Sequence, residues 1–154
     1  PCTTGDGMFG AINLHHFINS AEGRLVTATI RVGSSNVVAY GVLDANGNAS
    51  IDIDLPVGDY DMLLMVGGHL SAYTVGTVMD NGGMFATISP IPGDVDCDEE
   101  VGPGDFSALA AAFLSQVGDP NYVLFADVDN DGEVGPGDFA LLAENFGRTG
   151  DVLP

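Results

Sequence analysis

The first ninety residues alternate apolar and polar positions in the way typical of β-strands. Two runs rich in β-branched residues, Leu25–Val32 and Asn36–Leu43, are separated by a Gly-Ser-Ser turn. An Asn-Gly pair follows within residues 44–48, and this pair is a strong hairpin signal. Residues 10–89 contain roughly seven such short runs at near-regular spacing, which predicts an antiparallel β-sandwich.

One strand of this region shows its two faces directly. Residues 49–54 alternate apolar and acidic side chains. Because successive side chains on a strand point to opposite faces, Ile51 and Ile53 are predicted to face the core and Asp52 and Asp54 to face solvent.

A different period begins after the proline-flanked linker at residues 89–94. Residues 105–115 and 138–147 are rich in Ala and Leu, and their apolar residues recur at helical spacing. The recurring positions are Phe106, Leu109, Ala110 and Phe113 in the first segment, and Phe139, Leu142, Ala143 and Phe146 in the second. Two helices are predicted, with Asp105 and Asp138 as N-caps and Gly147 ending the second helix.

These patterns predict a mainly β plus α chain. A flexible leader (1–9) precedes an antiparallel β-sandwich of about seven strands (10–91). A pair of loop–helix repeats (92–150) and a short tail (151–154) follow.

The net charge of the chain limits the classes of partner that it is expected to bind. The sequence has 22 acidic residues against three basic ones, a net charge of −19. Nucleic acids and anionic membrane surfaces require cationic side chains, so neither is an expected partner. No apolar run approaches the roughly 20 residues that cross a bilayer, so no membrane insertion is expected. The same charge suits a hard cation, which binds oxygen ligands.

The acidic residues are concentrated in a tandem repeat. Asp94–Phe113 and Asp127–Phe146 are offset by 33 positions and share 14 of 20 residues. Each copy has carboxylates at loop positions 1, 3, 5 and 12, and position 7 offers a backbone carbonyl. These residues are Asp94, Asp96, Asp98, Glu100 and Asp105 in loop 1 (94–105), and Asp127, Asp129, Asp131, Glu133 and Asp138 in loop 2 (127–138).

The spacing predicts two calcium sites. Alternate positions of a tightly wound loop aim their oxygens at one centre, and the twelfth residue closes the shell, in a bidentate contact. Calcium takes roughly six to eight oxygens at about 2.3–2.6 Å. Position 9 is glycine in both loops, so water fills that place. Position 6 requires a positive φ; it is Gly132 in loop 2 but Glu99 in loop 1, so the first site is predicted to be weaker.

The repeat resembles the type I dockerin module of bacterial extracellular proteins over residues 93–149. The resemblance implies two loop–helix units related by a pseudo-twofold axis that fold on calcium. Dockerins usually dock onto a cohesin through loop positions 10 and 11. These are Pro103-Gly104 and Pro136-Gly137 here, without the hydroxyl or apolar pairs usual in that recognition.

The preceding half resembles the carboxypeptidase regulatory-like (transthyretin-like) β-sandwich. Residues 44–70 carry this likeness through a strand, an Asn-Gly turn and the stretch "LPVGDYD". Such domains often precede a dockerin-like tail in bacterial surface proteins.

The remaining candidate residues are weaker. Cys2 and Cys97 lack the spacing of a thiol–metal cluster; they either form a bridge, within or between chains, or stay unpaired. His15 and His16 are strand neighbours that point to opposite faces, so they are not expected to share an ion. No arrangement of Ser, His and Asp has the surroundings of a catalytic triad, and we expect no enzyme.

Three functions are compatible with these features. The favoured hypothesis is a non-catalytic, extracellular, calcium-binding structural subunit that associates with copies of itself head to tail, as a polymer or filament. In it, the apolar strand at residues 8–19 adds to a neighbour's sheet. The alternatives are a docking module that anchors the chain to a cohesin-bearing scaffold and a carbohydrate-binding surface module. The chain begins at Pro1 without a signal peptide, so we interpret it as a mature, secreted product.

Overall fold

The structure is a computed structural model that describes residues 8–12, 14–51, 53–80 and 84–154. Cys2, most of the predicted leader and Asp52 lie outside these residues. The two alternatives for Cys2 and Cys97, bridged or unpaired, therefore stay open, and the outward orientation of Asp52 stays a prediction.

Within the described residues, nine strands precede two helices. The strands are β1 (Met8–Ala11), β2 (Leu25–Val32), β3 (Ser35–Leu43), β4 (Asn48–Ile51), β5 (Gly58–Val66), β6 (Gly68–His69), β7 (Ala72–Val78), β8 (Met84–Phe85) and β9 (Pro92–Asp94). The helices are α1 (Pro103–Ala112) and α2 (Pro136–Asn145). The predicted fold class is confirmed as an N-terminal antiparallel β-sheet domain, here called the β unit, followed by two helices with acidic loops; where a sandwich of about seven strands was predicted, seven strands form one closed sheet.

The sheet of the β unit closes on itself in the order β1-β4-β3-β2-β5-β7-β8. All its pairings are antiparallel except that of β1 with β8, which is parallel and closes the barrel. Strands β6 and β9 form a separate two-stranded ladder. Because β9 ends at Asp94, this ladder joins the β unit directly to the first acidic loop.

Period-two alternation builds the core of the β unit. In β2, Val26, Ala28 and Ile30 are fully buried while the residues between them face outward. Ile51 is fully buried and Ile53 packs against the same core, as predicted, while Asp54 is exposed. Burying side chains of this size contributes about 1.5–3 kcal/mol each, before the conformational entropy cost of ordering them.

A second core lies under the helices. Leu109 of α1 and Leu142 of α2 are each 1% exposed and pack with Val101 and Val134 from the two loops. Leu70 of the β unit belongs to the same cluster. The two halves of the chain therefore share apolar surface. Among the described residues, no helix is both long and apolar enough to cross a membrane.

The helices begin two residues earlier than predicted, and their N-caps differ. Gly102 and Gly135 are the N-caps, and Pro103 and Pro136 occupy the first helical position. Proline suits that position because its φ is already helical and it has no N–H to satisfy. The prediction that Asp105 and Asp138 are N-caps was wrong: they are the third helical residues.

Candidate metal centre

The first acidic loop gathers its four predicted carboxylates. Oxygens of Asp94, Asp96, Asp98 and Asp105 lie within 4.8 Å of one another. In loop 2, Asp127, Asp129 and Asp131 form the corresponding group. Asp138 is not part of that group, although it is buried and hydrogen-bonded to the same loop.

Internal hydrogen bonds shape the two loops alike. The position-1 carboxylate accepts bonds from the amides of positions 5 and 6. For Asp94 these come from Asp98 (3.0 Å) and Glu99 (3.1 Å). For Asp127 they come from Asp131 and Gly132, both at 3.0 Å. Such bonds fold the chain of each loop around its position-1 carboxylate.

The position-12 carboxylates brace each loop against its helix. One oxygen of Asp105 accepts bonds from the amides of Val95 (2.6 Å) and Asp96 (3.1 Å), and the other accepts from Gly102 (2.6 Å). Asp138 repeats this pattern with the amides of Val128, Asp129 and Gly135 at 2.5, 3.0 and 2.6 Å. These backbone bonds engage both oxygens of each carboxylate. The bidentate metal contact of position 12 stays a prediction.

The position-7 carbonyls point away from their bridge partners, and their contact with an ion stays a prediction. Glu100 forms an antiparallel bridge with Thr149. The two hydrogen bonds of this bridge are made by the flanking residues: Gly150 N donates to Glu99 O, and Val101 N donates to Arg148 O. In such a non-hydrogen-bonded pair, the bridging residue turns its own N–H and C=O away from its partner. Glu133, which bridges to Gln116, has the same arrangement.

Position 6 has the positive φ that the sequence required. Glu99 has φ 69° and Gly132 has φ 98°. The amides of both residues donate to the position-1 carboxylate, so Glu99 keeps the loop geometry of a glycine. Position 4 is also left-handed, with Cys97 at φ 62° and Asn130 at φ 56°.

The glycines at loop position 11, where dockerins usually carry recognition residues, are needed by the loops. A Cβ at Gly104 would overlap the Asp96 carboxylate, and one at Gly137 would overlap the Asp129 carboxylate. The position-3 side chains therefore lie against the first turns of the helices. The identical Pro-Gly pair in both repeats was the signal that could have revealed this.

Burial destabilises the charged form of the loop carboxylates. It raises the pKa of Asp94 to about 6, with a smaller contribution from the neighbouring Asp105 carboxylate. It likewise raises the pKa of Asp129 to about 6, helped by Asp138. A cation among these oxygens would favour their charged forms. An all-oxygen donor set of crowded carboxylates plus one carbonyl fits a hard ion such as calcium.

Loop 2 is attached to the segment before β2. The Ile18 amide donates to Asp129 O at 2.7 Å, and the Asn130 amide group donates to Ser20 O at 2.9 Å. The Arg24 guanidinium donates to Asn130 Oδ1 at 2.8 Å and is 8% exposed. Burial lowers the pKa of Arg24, and nearby Asp127 opposes that shift. Sequence analysis missed this contact.

Loop 1 is attached to β6, β7 and the C-terminal segment. Gly68 pairs with Asp94, and Ser71 bonds to the Glu99 carboxylate. The histidines form a link between the two attachment sites. His16 Nε2 lies 2.8 Å from His69 Nε2, so His16 pairs with His69, while His15 is exposed.

Comparison with known proteins agrees with this geometry. Residues 92–147 match the family model of the dockerin type I domain, which confirms the resemblance predicted for that segment. A comparison with curated proteins found no match.

The likeness to solved structures extends through the β unit. A chain in the crystal structure of a C-terminal interface mutant of the type II cohesin–X-dockerin complex from Acetivibrio cellulolyticus has a TM-score of 0.66 and 21% identity. The match covers 92% of this chain and 96% of that one. The N-terminal interface mutant of the same complex gives a TM-score of 0.62 and 19% identity, over 94% of each chain. The chain thus has the fold of an X module followed by a dockerin.

Proposed function

We propose that this chain is a non-catalytic, extracellular docking unit that holds two calcium ions and binds a cohesin domain of a scaffold protein. The observation that carries the proposal is the pair of matching acidic loops, each leading into a helix, within the segment that matches type I dockerins. Dockerins occur in extracellular cellulosomal proteins. The cohesin-bound solved structures share the fold of the whole chain.

The proposed calcium ligands are the predicted ones. Position-1, -3 and -5 aspartates supply carboxylate oxygens, and Glu100 and Glu133 supply their carbonyls. Asp105 and Asp138 hold each loop closed and complete the shell. Calcium would supply the positive charge that keeps these buried carboxylates ionised and fixes the helices against each other.

An exposed aromatic face supports docking. Phe106 and Phe139 occupy equivalent positions of α1 and α2, and their rings meet edge to face with centroids 5.8 Å apart. They remain 46% and 43% exposed. Phe113 and Phe146, also equivalent, are exposed at the other end of the helices. A clustered apolar surface of this kind is typical of a protein-binding site.

Calorimetric titration against a panel of type I and type II cohesins tests the proposal. We expect binding by at least one cohesin in calcium, its loss in EDTA, and at least tenfold weakening by Phe106→Ser with Phe139→Ser. Tyr40→Ser is the matched control, because Tyr40 is an exposed aromatic residue of the β unit. Failure of every cohesin to bind the calcium-loaded chain would contradict the proposal.

Self-association is the competing hypothesis, and the comparisons favour cohesin docking over it. Of the strand predicted at residues 8–19 to join a neighbour's sheet, only β1 (Met8–Ala11) is a strand among the described residues, and it pairs with β4 on one side and β8 on the other. Donating it to a second copy would require those bonds to break. Light scattering in calcium distinguishes the hypotheses: a monomer supports docking, and a concentration-dependent polymer supports self-association.

The domain limits and the carboxypeptidase regulatory-like character of the β unit remain part of the proposal. One buried cluster lies within residues 12–88 and the other within residues 95–142 apart from Leu70, which supports a division near residue 91. Limited proteolysis of the calcium-free chain tests it, with cleavage expected near residues 89–92.

A further inference from the structure

We propose that Glu99 is a positioning residue: its side chain fastens calcium loop 1 to the β unit, so that ion binding in that loop depends on a contact outside the loop. The proposal rests on the calcium binding proposed above. Loop position 6 is Glu99 in the first repeat and Gly132 in the second, and the proposal assigns a role to this difference.

The bonds of Glu99 point away from the loop. Its carboxylate accepts two bonds from Ser71: one from the amide at 3.0 Å and one from the hydroxyl at 2.6 Å. Ser71 is 4% exposed and directly precedes β7. The backbone of Glu99 meanwhile donates to Asp94 at 3.1 Å, as Gly132 does to Asp127 in loop 2. The backbone of Glu99 thus shapes the loop, while its side chain contacts the β unit.

The C-terminal segment completes this contact. Gly150 N donates to Glu99 O at 2.9 Å, and Asp151 N donates to Ser71 O at 2.9 Å. The Asp151 carboxylate then accepts from the Tyr73 amide at 2.9 Å. A Cβ at Gly150 would overlap the Glu99 carboxylate, so this glycine lets the carboxylate reach Ser71.

A left-handed φ of 69° is strained for glutamate and unstrained for glycine. Without its external partners, Glu99 would adopt this conformation less readily than Gly132 does. The two bonds to Ser71 hold it there. If only the backbone conformation of the loop mattered, Glu99→Gly should raise the calcium affinity of loop 1. If the bonds to Ser71 hold the loop, the same substitution should lower that affinity. The two accounts differ in sign.

The test uses the full chain and two readouts: calcium affinity of each loop by calorimetry, and hydrogen exchange of the Ser71 amide by NMR. We expect Glu99→Gly to lower loop 1 affinity about fivefold or more, to leave loop 2 within twofold, and to accelerate Ser71 exchange at least tenfold. Glu99→Gln, which keeps one acceptor oxygen, should recover part of both losses. Glu144→Gln, a charge-matched exposed control on α2, should change neither.

Should Glu99→Gly fail to fold, Ser71→Ala removes only the hydroxyl and is expected to produce the same changes at smaller size. Equal or tighter calcium binding by the variant, with unchanged Ser71 exchange, would overturn the inference. A wild-type chain that binds no calcium would instead refute the proposed function. In that case Ser71 exchange in the variant still decides whether Glu99 fastens the loop.

Discussion

The two loop–helix repeats have the same internal bonds but different neighbours. Positions 1 and 12 accept the same backbone amides in both copies, at distances that agree to about 0.1 Å. Outside the loops, the first repeat contacts Ser71 and the C-terminal segment, and the second contacts Arg24 and Ser20. The comparison teaches that the duplicated sequence specifies the cages, while the side chains that attach each cage to the β unit, Glu99 and Asn130, stand at positions that differ between the copies.

Calcium removal is expected to have the largest effect, because it acts on both repeats together. Ligand binding at about a thousand times Kd stabilises the folded state by about 4 kcal/mol per site. EDTA should therefore lower the melting temperature and reduce the helical circular dichroism signal of residues 92–150. Magnesium, which demands stricter octahedral geometry, should restore less than calcium does. An unaltered melting curve in EDTA would show that the loops need no ion.

Substitution of the position-11 glycines tests whether the repeats are equivalent. An added Cβ must displace the position-3 carboxylate, so Gly104→Ala and Gly137→Ala should each weaken calcium binding in their own loop roughly tenfold, about 1.4 kcal/mol. In an Asp96→Ala background, Gly104→Ala should cost nothing further and can stabilise α1, since alanine is the better helix former. Calorimetric titration of each variant gives the measurement. An effect in only one loop would break the equivalence.

Acidification tests the histidine link between the two attachment sites. Burial lowers the pKa of His69 to about 3 and that of His16 to about 4. At mildly acidic pH the unfolded chain therefore binds more protons than the folded chain. The contribution of the two neutral, buried histidines to the free energy of unfolding is complete above about pH 6.5, and it is lost as the pH falls toward their folded-state pKa values. In saturating calcium, the free energy of unfolding should fall between pH 7 and 5 by up to about 2 kcal/mol for the buried His69, and by less for the partly exposed His16. His16→Gln should reduce this slope.

The smallest expected effect comes from substituting Tyr122, whose hydroxyl contacts loop 2. The Tyr122 hydroxyl donates to Asp127 at 2.7 Å. Tyr122→Phe should weaken calcium binding in loop 2 by a factor of about five, since one hydrogen bond to a carboxylate is worth about 1 kcal/mol or more. Loop 1 serves as the internal control. Equal weakening of both loops would mean that the substitution acts through the shared core.

Residue patterns predicted the cages and much of the sheet. The β-branched run from Leu25 to Val32 is β2 to the residue, and the Asp spacing placed seven carboxylates in two groups. Both predictions rest on local periodicity, which tertiary context did not override here. The carboxylate of Asp138 was the exception, since it is not part of the second group although it accepts the same backbone bonds as Asp105.

Contacts between distant segments could not be predicted in this way. Arg24 and Asn130 are separated by 106 positions, and no local pattern links them. The helical phenylalanines also mislead: their spacing matches that of a buried stripe, yet Phe106 and Phe139 are exposed. The core under the helices is filled instead by Leu109, Leu142 and the valines of the loops.

Metal stoichiometry tests the central claim most directly. Calorimetry and native mass spectrometry of the wild-type chain, Asp94→Ala and Asp127→Ala should give two, one and one calcium ions per chain. Each substitution should abolish the site in its own repeat only. A wild-type chain that binds no calcium at millimolar concentration, or two variants that both retain two ions, would contradict the account.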